Sequence, residues 1–122
     1  MGVEPTAKPK SSQDLVQRVM QYFKKEGYKV EQSMTTLEGF TGISRRFDLI
    51  VQKGRVAQGV WIRDWNRTIG VNIIINMDKA SERSGFSSPI LVAEKFSEHA
   101  KAYANRRGIM LITKFEIMRS LM

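Results

Sequence analysis

Residues 47 to 65, FDLIVQKGRVAQGVWIRDW, constrain the chain more than any other stretch. Two apolar segments with alternating pattern flank Lys53 and Gly54, which is the signature of a β-hairpin packed against a core. With Lys53 and Gly54 as a two-residue turn, Gln52 pairs with Arg55 and Asp48 faces Gly59. Opposed residues share a face and alternate residues return to it. Asp48, Gly59, Trp61 and Arg63 are therefore expected on one side of the sheet, Ile62 and Asp64 on the other, with Asp48 and Trp61 as diagonal neighbours.

One acid beside an indole and a guanidinium makes a poor metal site. Magnesium in phosphodiester chemistry is held by one or two carboxylates plus phosphate oxygens and water, and Trp61 has no oxygen to offer. Arg63 suits phosphate through its donor fork, but it stays protonated and cannot act as the general base that activates water. The cluster reads as a surface for binding rather than for cutting.

At 122 residues and 42% hydrophobic the chain has room for one core, so one domain is expected. No cysteine is present, and His99 is the single histidine, which excludes thiolate sites and imidazole clusters. No apolar run has the length of a membrane span, and MGVEPTAKPK lacks the apolar segment of a secretory signal; the expectation is a cytoplasmic protein without membrane contact. Twenty Lys and Arg against twelve Asp and Glu give a formal charge of +8 and a pI near 10.1, so the expected partner is a polyanion, nucleic acid first.

Residues 1–10 carry prolines, a glycine and lysines without periodicity and read as a flexible basic tail, from which Lys8 and Lys10 could reach a nucleic-acid backbone. Residues 11–122 form the single domain. Ser11 and Asp14 resemble a capping box ahead of the helical stripe Leu15, Val16, Val19, Met20 and Phe23, which stops at Gly27. YKVEQSMTT reads as a half-exposed strand, LEGFTGIS as a loop, and the hairpin comes next.

Thr68 to Ala80 reads as helix, with more isoleucine than one buried face needs, which points to deep burial or self-association. ILVA is a buried strand, Phe96 to Ala104 a helical stripe ending at Gly108, IMLIT a last strand and KFEIMRSLM a closing helix. Met110, Met118 and Met122 are expected to fill core. The order is helix, three strands, helix, strand, helix, strand, helix, an α/β or α+β sandwich with a mixed sheet. No phosphate-binding glycine loop, G-x-S-x-G elbow or H-E-x-x-H pair occurs.

In this order of elements, and in EGYKV, FDLIV, VWIRDWNRTIGV and ILVAEKFSEHAKAYANRRGIMLI, the chain resembles the PD-(D/E)xK nuclease superfamily, above all Mrr-like restriction endonucleases and archaeal Holliday junction resolvases. The resemblance spans residues 12 to 121. It implies an α/β restriction-endonuclease-like three-layer sandwich with a central mixed β-sheet flanked by helices. It places the superfamily's strand-two aspartate on Asp48, and its acid-x-lysine on Trp61, Ile62 and Arg63. The first acid is kept, the second is tryptophan and the lysine is arginine. A first-helix acid that some members use falls near Asp14 or Gln17.

The resemblance with these departures implies a nuclease fold with an eroded site: a non-catalytic DNA-binding protein serving repair, recombination or replication. No cofactor is expected, and magnesium on Asp48 only if the chain cuts. Two alternatives stand beside it: an active magnesium-dependent endonuclease with a relocated acid such as Glu31 or Glu38, and an interaction subunit of a nuclease or helicase complex. The expected assembly is a homodimer, or a heteromer with such a partner, and the resolvase likeness points to an archaeal source. The expected DNA contacts are Arg45, Arg46, Arg55, Trp61, Arg63 and Arg67 around the hairpin, with Lys101, Arg106 and Arg107 on the late helix, mainly to phosphates; Trp61 or Trp65 could stack on an unpaired base.

Overall fold

The computed structural model describes residues 7–32, 47–86 and 88–122, with side chains from residue 14 onward. The chain opens with α1 (Ala7–Lys25), whose Leu15, Val19 and Phe23 are buried as their spacing requires. The helix starts upstream of Ser11, so residues 7–10 are helical and not part of a tail. Pro9 is tolerated there because the first turn's N–H groups lack intrahelical partners. Gly27, at φ +93°, lets the chain turn back into β1 (Lys29–Gln32). The LEGFTGIS loop with its Glu38, and Arg45 and Arg46 after it, lie outside the described residues.

The hairpin forms between β2 (Leu49–Lys53) and β3 (Val56–Ile69), with its turn one residue later than expected. Lys53 pairs with Val56, so Gly54 and Arg55 are the central residues and Gly54 takes the first, at φ +65°. Glycine fits that left-handed position without a Cβ clash, and its placement there sets the register. Leu49 therefore faces Val60 and Ile50 faces Gly59, not Asp48. The slip moves each partner by two residues, so the faces are unchanged and Trp61 and Arg63 still share a side with Gly59.

After α2 (Val71–Ser84), β4 (Ile90–Phe96), α3 (Glu98–Arg107), β5 (Met110–Thr113) and α4 (Lys114–Ser120) complete the order read from the sequence. The five strands run β1-β2-β3-β4-β5, antiparallel through β3 and parallel from β3 to β5. The parallel half carries helical crossovers, as parallel pairing demands. Leu15, Val19, Phe23 and Ile117 from α1 and α4 pack with Val60, Ile62 and Val92 on one face. Ile74, Met77, Ala100 and Ala104 from α2 and α3 pack with Leu91 and Ala93 on the other. The result is the three-layer sandwich, with β4's Ile90, Leu91, Val92 and Ala93 buried on both sides.

The apolar surplus of α2 is mostly used inward: Ile74 and Met77 are fully buried and Ile73 is half-buried. The late methionines are not core. Met110, Met118 and Met122 are 42%, 37% and 97% exposed, because α4 turns Ile117 inward and β5 is the last strand of the sheet. Among the described residues no helix is long and apolar enough to cross a membrane.

Phe47 is 2% exposed and lies over Gly59, where a Cβ would stand 2.5 Å from its ring. Gly59→Ala is expected to displace that ring and lower the unfolding free energy by about 1–3 kcal/mol. Denaturant titration with an unchanged m-value checks it; a midpoint equal to that of the parent would show that Phe47 has room to move.

Candidate nucleic-acid interface

Alternation along β3 brings Trp61, Arg63, Trp65 and Arg67 to one face. They stack as a ladder. The Arg63 guanidinium lies 4.4 Å from the Trp61 ring and 5.7 Å from the Trp65 ring, and that of Arg67 lies 4.5 Å from Trp65. Such contacts hold a cation in a fixed plane while leaving its N–H fork able to bind. Both tryptophans are half-buried, and Trp61 is backed by Phe47 at 6.1 Å between centroids. Guanidinium groups lie over both rings, Arg63 on Trp61 and Arg67 on Trp65, while Trp61 also lines the recess between β3 and α2. The Trp61 Nε1 is buried, with no hydrogen-bond partner among the described residues.

The ladder sits where β3 departs from its neighbour. Arg63 is level with Ala93 but Thr68 with Lys95, so β3 carries extra residues between the two points. Asp48 stands at the entrance to β2 and closes the hairpin's open end. Its Oδ2 accepts the Ile62 backbone N–H at 2.7 Å, and the Arg63 Nη1 lies 3.5 Å away. Burial pushes the Asp48 carboxyl above its ordinary range, against the opposing pull of the Ile62 N–H and Arg63. Burial likewise lowers the Arg63 guanidinium, which the Asp48 charge partly restores.

Asp64 projects to the opposite face, as alternation predicts, and binds Lys114 Nζ at 2.8 Å; Lys114 also reaches Glu94 at 3.1 Å. That ion pair pins the extra residues of β3 to the start of α4. Asp48 and Asp64 line the same cavity, with the Asp64 carboxylate paired to Lys114 and that of Asp48 facing Arg63. Among the described residues no three of His, Cys, Asp and Glu come together, and this donor set does not fit a divalent cation. Glu31 lies across from Ile50 on β1 and is not among the groups acting on the Asp48 carboxyl. From α1, Val16 lines the cavity beside Asp48; Gln17 is exposed and Asp14 pairs with Arg18 at 3.3 Å.

Two cavities adjoin the ladder. One, of about 560 Å³, is lined by Asp48, Trp61, Arg63, Trp65, Ile73 and Asn76, among others. The other, of about 460 Å³, is lined by Trp61, Asn76, Lys79, Ala80 and Arg83. Trp61 and Asn76 belong to both, so β3 and α2 form the walls of one recess. Asn76, Lys79 and Arg83 were not anticipated from the sequence, although their i, i+3, i+7 spacing marks one exposed helical stripe.

The other expected cations are dispersed. Arg55 sits in the hairpin turn, roughly 26 Å along β3 from Arg63 at about 3.3 Å per residue. Lys101 and Arg106 are exposed on α3, and Lys101 pairs with Glu98 at 3.4 Å. Arg107, on the same helix, is exposed as well. It binds the buried Asp78 at 2.8 Å and Glu82 at 3.1 Å, while Tyr103 donates to the same Asp78 oxygen at 2.9 Å. A carboxylate 7% exposed needs such partners, so Arg107 ties α3 to α2 while its side chain stays 46% exposed.

A family model described as restriction endonuclease, Mrr_cat, matches residues 9–121. No curated protein matches the sequence. The crystal structure of a protein of unknown function, AF1548, is similar at a TM-score of 0.65 and 18% identity, over 81% of this chain and 57% of that one. At that identity the likeness concerns the fold alone, and this chain spans 57% of the length of that structure.

Because its carboxyl is raised, Asp48 takes up a proton more readily in the folded state, and its ionised form detracts from stability near neutrality. Asp48→Asn, which keeps an oxygen for the Ile62 N–H, is expected to raise the midpoint of thermal unfolding at pH 7 by about 1–3 °C, a small effect because solvent screens a partly exposed group. The difference should shrink as pH falls through the window between the ordinary carboxylate range and the raised one. Calorimetry across that range tests it: a variant less stable than the parent at pH 7 would mean that the pair with Arg63 outweighs the burial.

Proposed function

The chain belongs to the Mrr_cat restriction endonuclease family and has the restriction-endonuclease-like fold, and from that premise we propose that it binds DNA through the phosphate backbone without cutting it. The observation that carries this reading is the clamped Arg63. At the place where the superfamily's acid-x-lysine would hold a metal and a water, an arginine is bracketed by Trp61 and Trp65 and faces Asp48. A guanidinium so held keeps its charge and two-pronged donor geometry, which suit a phosphate, and gives up no proton to activate water.

Arg67 extends the cationic edge outward from Trp65, and the formal +8 adds long-range attraction for a polyanion. Contacts of this kind position a backbone without reading sequence. The role in DNA repair, recombination or replication is an accessory one in this reading, with cutting supplied by a partner chain.

One assay separates holding from cutting. End-labelled single-stranded, duplex, flap and four-way DNA are incubated with the protein and magnesium or manganese, and each tube is run on native and denaturing gels. Shifted, uncut DNA is the expected result. Arg63→Ala with Arg67→Ala should weaken binding and lower the slope of log affinity against log salt by about 1.8 on duplex, at about 0.9 for each phosphate no longer neutralised. Cleavage that disappears in Asp48→Ala would overturn the reading and show that an acid has moved into the site.

A further inference from the structure

Contact with a duplex backbone needs only cations on an open surface, and the recess between β3 and α2 is more than that. Its cations stand on two walls, Arg63 on the strand and Lys79 and Arg83 on the helix. Among the described residues no acid pairs with Lys79 or Arg83, whereas the acids lining the larger cavity, Asp48 and Asp64, face Arg63 and Lys114. At about 560 and 460 Å³ the two cavities have the volume of clefts that take a small ligand, a size for a nucleotide and too small for a double helix.

The partition between the cavities has a chemistry of its own. Asn76, exposed on α2, offers a carbonyl acceptor and an amide donor together, which is what the edge of an unpaired base requires. Ile73 and the Trp61 ring supply an apolar wall beside it. Among the described residues the buried Trp61 indole N–H has no acceptor.

Building on the nucleic-acid reading above, we propose that this recess takes unpaired nucleotides of a nucleic-acid strand. The base lies at the partition formed by Trp61 and Asn76, and the flanking phosphates lie on Arg63 at one side and on Lys79 and Arg83 at the other. The preferred ligand is then a single strand, or a duplex with an unpaired nucleotide, over a plain duplex.

Fluorescence anisotropy over a series of salt concentrations tests this with a labelled single-stranded DNA, its duplex, and the duplex with one unpaired nucleotide. The single strand is expected to bind about tenfold more tightly than the plain duplex, the worth of one stacked base. Lys79→Ala with Arg83→Ala should lower the single-strand salt slope by about 1.4, at about 0.7 per phosphate. Asn76→Ala should weaken single-strand binding and leave that slope alone. All three positions are exposed, so the variants should fold, which circular dichroism confirms. Equal affinity for single strand and duplex, or a slope unchanged in the double variant, overturns the assignment while leaving backbone binding intact. Absence of binding to all three probes at low salt removes the nucleic-acid reading itself.

Discussion

The alternation of β3 is the constraint on which the rest of the molecule depends. Val60 and Ile62 point into the core under α1 and α4, and Trp61 points toward the core under α2 and α3. A strand packed on both sides cannot shift by a single residue without exchanging its two faces. Phe47 adds a second lock, because it occupies the space above Gly59 that a side chain would fill and backs Trp61 from there. Trp61 in turn fixes the plane of Arg63, and Trp65 and Arg67 continue the stack where β3 leaves the register of β4. The geometry of the interface is inherited from core packing and not from a flexible loop.

Local pattern made much of this legible in the sequence. The order of helices and strands could be read because each element carries its own period or its own breaker, such as the stripe Leu15, Val19, Phe23 or the glycine that ends α3 at Gly108. The sharing of a face by Trp61 and Arg63 survived an error in the turn, since the shift was by an even number of residues. That error turned on whether Gly54 takes the first or second central position, a choice made by backbone dihedrals that composition does not display.

The features that escaped the sequence depend on partners distant along the chain. Arg107 looks like one of several cations on α3, and only the fold brings Asp78 to it from 29 residues away. Asn76, Lys79 and Arg83 have in the sequence only the spacing of an exposed helical stripe. Their significance appears only once α2 is laid beside Trp61. The ladder itself had a visible signal, Trp and Arg alternating at every second position from residue 61 to 67, which on a strand must stack on one face. The exposure of Met110, Met118 and Met122 had none, since a methionine at a sheet's edge has the same sequence pattern as one in its middle.

The two departures from the superfamily's pattern, tryptophan for the acid and arginine for the lysine, belong together physically. An ammonium group is a compact, strongly hydrated charge, and in a half-buried position between indoles burial favours its neutral form. A guanidinium is weakly hydrated and planar, so the same rings that would strip a lysine of its solvent stabilise an arginine, whose Nη1 here donates to the Ile62 carbonyl at 3.2 Å. Conversely, an acid at position 61 would stand in the apolar contact that Phe47 now makes with the Trp61 ring, and would lose solvation unless a cation replaced it. Asp48 fits this pair: one of its oxygens accepts the Ile62 N–H and faces the Arg63 guanidinium. Arg63 is the shared member of the group, lying over the Trp61 ring and facing Asp48, so replacing it would break both contacts at once.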